Sequence, residues 1–337
     1  MRWLPRVLAI LAMVGMGPAV HAETWRVALE EIKGSVQHEY AERFAEHVKA
    51  RSDGKVRVKI FPYGQIGGMK NIYDAVQSGK IHFAFGSGFL GGTVPESQLF
   101  SLNYILSDDE WVNARAVNSD AFLKSDAFVS AFRERSLHPL ASVIEGWQVW
   151  TANKAIRTPE DFQGVGIRTM DNRLLTETYK AYGATPVTIE YGELYSALQM
   201  GQAAANIQPV FAHEEMGFYE VQDYMIFAKQ AEFIATFMAN KGFYDGLSPE
   251  RQAMIDAITD ELVRPIHEHQ QALNNQRLDT IKANSDIQII ELTPEERARF
   301  EQKSMPVRQT YVDMVGERGR TLLDLLTKEV ERVKGQQ

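Results

Sequence analysis

The stretch from Ile156 to Phe211 constrains the fold most, because it reads as two βα units in succession with polar or aromatic residues just past each strand. Thr158, Pro159 and Asp161 form a capping box with proline at the first helical position. Gly166 to Thr169 is a short strand carrying Arg168. After it, Asp171 or Asn172 can cap a helix whose apolar face is Leu174, Leu175 and Tyr179. Pro186 to Ile189 is a second strand, Tyr191 to Met200 the next helix, and Ala204 to Gln208 a strand stopped by Pro209. In open α/β sheets ligands sit outside the carboxyl ends of the strands, where Arg168 and Gln208 fall. A guanidinium is a planar fork that meets a carboxylate with two parallel hydrogen bonds, so Arg168 suits capture of a small organic acid. A structural ion pair with a nearby Asp or Glu is the plainer use of the same residue, and spacing leaves both open.

The flanking chain has the same order. Thr24 to Leu29 alternates as a strand, and Val36, Tyr40, Phe44 and Val48 make an amphipathic helix. Lys55 to Phe61, Met69 to Gln77 and Ile81 to Phe85 continue as strand, helix, strand, the start of a parallel sheet. The loop GSGFLGG, Gly86 to Gly92, lacks both glycine-rich phosphate-binding patterns, which argues against a nucleotide site. It suits close backbone approach to a ligand, with Phe89 as an aromatic wall, or else a flexible turn. Asp108 to Arg135 reads as helical, and Leu137 to Ile144 and Trp147 to Ala152 as two strands where the chain passes to a second domain. Tyr224 to Ala228 and Phe233 to Met238 are strands, the second returning to the first sheet. Ser248-Pro249 opens a long helix with a kink expected at Pro265. His267, Glu268 and His269 point to different sides of that helix, which suggests a solvated face and not a metal site. His213-Glu214-Glu215 lacks the second histidine of HExxH. Gln288 to Leu292 is a last strand, and Thr293 to Glu296 a second capping box.

The 337 residues suffice for two α/β domains, each with its own core. A net charge of −8 argues against a nucleic-acid partner, and the absence of cysteine removes disulfides, thiolate metal sites and cysteine nucleophiles together. No Ser-His-Asp set, nucleophile elbow or metal-ligand pattern points to an enzyme, and neither cofactor nor metal is expected. Residues 1 to 22 have the form of a secretory signal: Arg2 and Arg6, the apolar run Val7 to Met16, and a cleavage site at Val20-His21-Ala22. The run is too short to span a bilayer. Cleavage after Ala22 removes two arginines and no acid, taking the net charge from −8 to −10.

TPEDFQG (Thr158 to Gly164), IRT (Ile167 to Thr169), GATPV (Gly183 to Val187), GELYSALQMG (Gly192 to Gly201) and the pair Gln208-Pro209 occur in the order found in the solute receptors of tripartite ATP-independent periplasmic (TRAP) transporters, and the chain resembles that family over nearly its mature length. The resemblance implies a two-domain periplasmic solute-binding fold with a ligand cleft between the domains and a long bridging helix. Residues 23–146 with about 237–275 would be domain I, and 147–236 with about 276–337 domain II. It implies a monomer that delivers a small carboxylate solute to membrane permease subunits, with Arg168 holding the carboxylate. Many relatives carry a second basic residue after the Glu-Gly matching Glu145-Gly146. Trp147 and Gln148 stand here, which suggests a single carboxylate.

Within the family the likeness is strongest to ectoine-type receptors, through Glu30, Glu31, Gly34, Val36 and Gln37 and through Ile167 to Pro186. That match implies Glu31 facing the cationic part of a zwitterion such as ectoine or hydroxyectoine, with Phe89 and Phe211 packing its ring. Glu30, one position out of phase, is expected to be a solvated strand end. Two departures alter the pocket: Tyr191 where tryptophan is expected, and Gln208 where asparagine is expected. Another monocarboxylate, aromatic or 2-oxo, and a ligand-presenting sensory role are the alternatives.

Overall fold

The computed structural model describes residues 22–336; all but the last residue of the segment read as a secretory signal, residues 1–22, lies outside them. The first half opens β1 (Glu23–Ala28), α1 (Val36–Arg51), β2 (Val56–Phe61), α2 (Met69–Gln77), β3 (Phe83–Gly86), with β1 parallel to both β2 and β3. Ser35 caps α1 by accepting a hydrogen bond from the His38 amide at 3.2 Å. The stripe Val36, Tyr40, Ala41, Phe44 and Val48 is buried against Trp25, Phe83, Phe85 and Phe237. Each such aromatic or aliphatic burial stabilises by roughly 1.5–3 kcal/mol.

The helical run expected over Asp108 to Arg135 is instead three short helices, α3 (Glu110–Val117), α4 (Asp120–Leu123) and α5 (Asp126–Arg133). Ser119 and Ser125 interrupt it, each turning its hydroxyl to the amide three residues on and starting a new helix. The next strand, β4 (Leu137–Ala152), runs for 16 residues where two strands were expected. Gly146, at φ +120°, lets the chain bulge between Ile144 and Trp147 without ending the strand.

The second half follows: β5 (Gly166–Thr169), α6 (Arg173–Ala181), β6 (Thr185–Thr188), α7 (Leu194–Gln199), β7 (Ala205–Pro209), α8 (Val210–Glu215), β8 (Tyr224–Phe227), β9 (Glu232–Asn240) and α9 (Lys241–Asp245). Asp161 closes the expected capping box by accepting the Thr158 amide at 2.8 Å, but the segment it caps is a single 3-10 turn, Pro159–Phe162. β5 lies parallel to β6 and β7. β4 joins the two halves: its first part pairs antiparallel with β9, itself hydrogen-bonded to β3, and its last part with β7 and β8.

A 36-residue helix, α10 (Pro249–Asn284), passes through Pro265 and lies on α1, β4 and α8, spanning both halves. His267 is buried on it against the Trp111 ring, centroids 5.1 Å apart, and is not on the solvated face that its sequence neighbours suggested. β10 (Gln288–Glu291) pairs parallel with β8. The Thr293–Glu296 capping box then opens α11 (Pro294–Val315), which packs on α6, and α12 (Glu317–Lys334), which returns to lie on α3, α4 and α5.

Candidate ligand-binding site

Arg168 is carried by β5 and is entirely buried. Its Nε donates to the Ile189 carbonyl, 2.9 Å away, while Nη1 and Nη2 have no hydrogen-bond partner. No carboxylate of the described residues pairs with it, so the structural ion pair left open by spacing is not found. Burial alone lowers its pKa to about 10, with Tyr191, Glu190 and Tyr63 opposing. A guanidinium fixed at one nitrogen and unpaired at the other two is costly inside a protein unless an anion meets it. Beside it stand Phe89, from the 3-10 turn Gly88–Gly92, with its ring centre 5.6 Å from the guanidinium carbon, and Tyr191, buried in edge contact with Phe218.

Acidic groups gather at the other end. Glu30 was expected to be solvated, but it is buried: it accepts from the Tyr73 hydroxyl and, at 2.9 Å, from the Ser87 amide. Burial raises its pKa to about 7 against the pull of those two donors. Glu31 is 7 % exposed, and its pKa is raised well above the usual range by burial and by the neighbouring Glu145. Gln37 links the two segments, accepting from the Glu30 amide at 2.9 Å and donating to Glu145 Oε1 at 3.0 Å. Burial also pushes Glu145 and Glu215 up to about 8, although Arg277 lies 3.6 Å from Glu215. The Tyr191 hydroxyl, raised first by burial and then by Glu31 and Glu215, is pulled back by Arg168, so it lies in the fields of both ends of the site.

Gln208 is buried in β7 opposite Val149, with its amide nitrogen lacking an acceptor. Phe211 is fully buried in the first-half core, its amide donating to Asn274 Oδ1 at 3.0 Å. Arg168, Phe89 and Tyr191 are thus brought together, with Glu31 acting on Tyr191 from the other end. Tyr63, Glu145 and Glu215 join them and were not singled out from sequence as ligand contacts. Tyr63 stands two residues past β2, as Glu30 stands two past β1, so the strand-end rule applied to β2 would have found it. Glu145 and Glu215 leave no comparable signal: one reads as a turn, the other as a broken metal motif. Among the described residues no group of His, Asp and Glu is arranged to hold a metal ion.

The model of the family described as bacterial extracellular solute-binding protein, family 7, matches residues 28–313. The chain belongs to that family. This family 7 receptor is 34% identical over 332 residues to the ectoine-binding periplasmic protein TeaA of Halomonas elongata, covering 96% of this chain and 95% of that one. To the ectoine/5-hydroxyectoine-binding periplasmic protein UehA of Ruegeria pomeroyi it is 34% identical over 309 residues, covering 91% and 90%. An apo open structure of a TRAP periplasmic solute-binding protein from Marinobacter aquaeolei VT8 superposes with a TM-score of 0.86 at 40% identity, covering 90% of this chain and 99% of that one. The receptor therefore has the two-domain TRAP solute-binding fold; it binds small solutes, works with TRAP membrane components, and is not an enzyme. No helix of its described residues is long and apolar enough to cross a membrane.

Proposed function

We propose that this receptor captures a small zwitterion of the ectoine type, holding its carboxylate on Arg168 and its cation against Glu31, and delivers it as a monomer to the permease. The observation that carries this reading is the pairing of opposite demands: a buried guanidinium with two free nitrogens at one end, and a buried carboxyl at the other whose Oε2 has no donor. The names of the Halomonas and Ruegeria relatives support it. Phe89 and Tyr191 supply aromatic walls between the two ends, and the buried Gln208 and Phe211 back the pocket. The lobes would hinge where β4 crosses near residue 146 and at the foot of β9, with the solute drawing them together.

A thermal-shift screen followed by calorimetry tests this, using ectoine, hydroxyectoine, betaines, and aromatic and 2-oxo acids. Ectoines are expected to give the largest shift. Strong binding of a plain monocarboxylate with none of any zwitterion would overturn the reading. We also propose secretion with cleavage after Ala22. Intact mass of protein recovered from the periplasm should begin at Glu23, and recovery with Met1 retained would defeat it.

A further inference from the structure

Four acids gather at the acidic end of the site, and two of them have fixed donors. Glu30 accepts from the Tyr73 hydroxyl and the Ser87 amide, and Glu145 Oε1 accepts from the Gln37 side chain at 3.0 Å. Glu31 and Glu215 keep more to give. Glu31 Oε2 and both side-chain oxygens of Glu215 are buried without a hydrogen-bond donor. Glu215 is the last residue of α8, and it reaches the turn that follows Glu31. The Glu31 carbonyl accepts the Tyr63 amide at 2.8 Å, and the Ser35 amide closes the turn on the Ile32 carbonyl at 3.4 Å. Gly34, at φ +100°, lets Glu215 come close: a side-chain carbon at this position would stand 3.9 Å from Glu215 Oε1. The two acids therefore flank one short turn, Glu31 from the end of β1 and Glu215 from α8.

Behind Glu215 stands Arg277 of α10, the one cation within ion-pair distance of it among the described residues. That guanidinium serves two acids. Its Nη1 meets Glu214 at 2.9 Å, whereas Nη2 stays 3.6 Å from Glu215, too far for a hydrogen bond. One positive charge is thus divided between two carboxyls, and the closer contact goes to Glu214, the less buried of the two. Glu215 is left short of both charge and donors inside the protein, which is costly until a cationic donor meets it. An opposite charge alongside favours the ionised form, so such a cation works against the burial that raises Glu215 to about 8.

We propose that Glu215 is a second acceptor for the solute's cation: Glu31 and Glu215 each take one N–H of a delocalised amidinium, so the site selects a cation that donates twice over a quaternary ammonium that donates nothing. The proposal rests on the zwitterion reading above and makes Glu215 a specificity-determining residue, with Arg277 as its competitor. The ectoine ring fits this demand, because its positive charge is spread over two nitrogens that each carry a hydrogen. A betaine carries the same net charges with no N–H, and leaves the orphaned oxygens of Glu31 and Glu215 unmet.

Calorimetry of the mature protein with ectoine and with glycine betaine tests this, with melting curves to confirm that each variant is folded. The parent should bind ectoine at least about tenfold more tightly than glycine betaine. This arm needs no variant, and equal or tighter binding of the betaine would overturn the proposal. Glu215→Gln should weaken ectoine about tenfold and glycine betaine less, so that the ratio of their affinities falls. Arg277→Gln removes the competing donor and should leave ectoine affinity unchanged or raised. A purely structural ion pair between Glu215 and Arg277 predicts otherwise, because both variants break the same contact: equal losses in the two would overturn the proposal. Ectoine bound as tightly by folded Glu215→Gln as by the parent would also overturn it, while leaving the zwitterion reading intact. Binding of neither zwitterion by a parent that takes a plain monocarboxylate would defeat that reading, and this assignment of Glu215 with it.

Discussion

Tyr63 and Tyr191 meet edge to face, ring centroids 5.8 Å apart and planes at 77°. Tyr63 comes off the end of β2 in the first half and Tyr191 off β6 in the second. A contact between halves favours the state in which they are close, and aromatic pairs of this geometry contribute about 0.5–1.5 kcal/mol. Tyr63→Ala is therefore expected to weaken solute affinity by roughly two- to tenfold while leaving the melting temperature of the unliganded protein nearly unchanged. Calorimetry and a melting curve on the same sample check both halves of the statement.

Arg168 should divide affinity from stability. Arg168→Ala is expected to cost about 1.5–3 kcal/mol of solute binding or more, and Arg168→Lys to recover only part, because a single ammonium cannot make two parallel bonds. Arg168→Met removes a buried cation with two unpaired nitrogens and keeps an apolar side chain in its place, so the unliganded protein should melt no lower than the parent. Its solute-induced melting shift should vanish. Unchanged affinity in a folded Arg168→Ala variant would assign Arg168 a packing role only.

What sequence conveys here is local order, and what it misses is distant partnership. The strand-helix alternation, both capping boxes and Arg168 in β5 follow from residue periodicity and cap chemistry over a few positions. β4 reads as two strands because glycine usually punctuates, whereas Gly146 takes the positive φ that turns an interruption into a bulge. Glu30 reads as solvated because Tyr73 and Ser87, the donors that make its burial tolerable, lie far along the chain. His267 fails for the same reason, its cover being Trp111. The acidic end of the site was half visible: Glu31 follows a strand, but Glu145 gains its role only when Gln37 ties β4 to the start of α1.

Solute choice within the ectoine class is expected to lie at Tyr191 and Gln208. Tyr191 is buried against Tyr63 and Phe218, and the amide nitrogen of Gln208 has no acceptor, so both have contacts to gain or lose with ring size. Tyr191→Trp with Gln208→Asn should raise affinity for ectoine relative to hydroxyectoine. The ratio of the two dissociation constants decides it, and an unchanged ratio would place selectivity elsewhere.

Glu31 should decide whether the solute must carry positive charge. It follows β1 in the first half, whereas Arg168 lies on β5 in the second, so a zwitterion engaging both would join the halves. Glu31→Gln keeps the shape and removes the charge. A cationic or zwitterionic solute should then lose on the order of 1–3 kcal/mol, the usual scale for a charge-assisted hydrogen bond reduced to a neutral one. A purely anionic solute should lose nothing or gain, because the acidic cluster of Glu31, Glu145 and Glu215 repels it less. The melting temperature supplies the control: the replacement removes a carboxyl whose ionisation is opposed first by burial and then by Glu145, so the variant should be at least as stable as the parent near neutral pH. If Glu31→Gln binds the parent's best solute as tightly, and with the same salt dependence, the cation has no partner at Glu31 and a simple monocarboxylate held by Arg168 becomes the better description of the ligand.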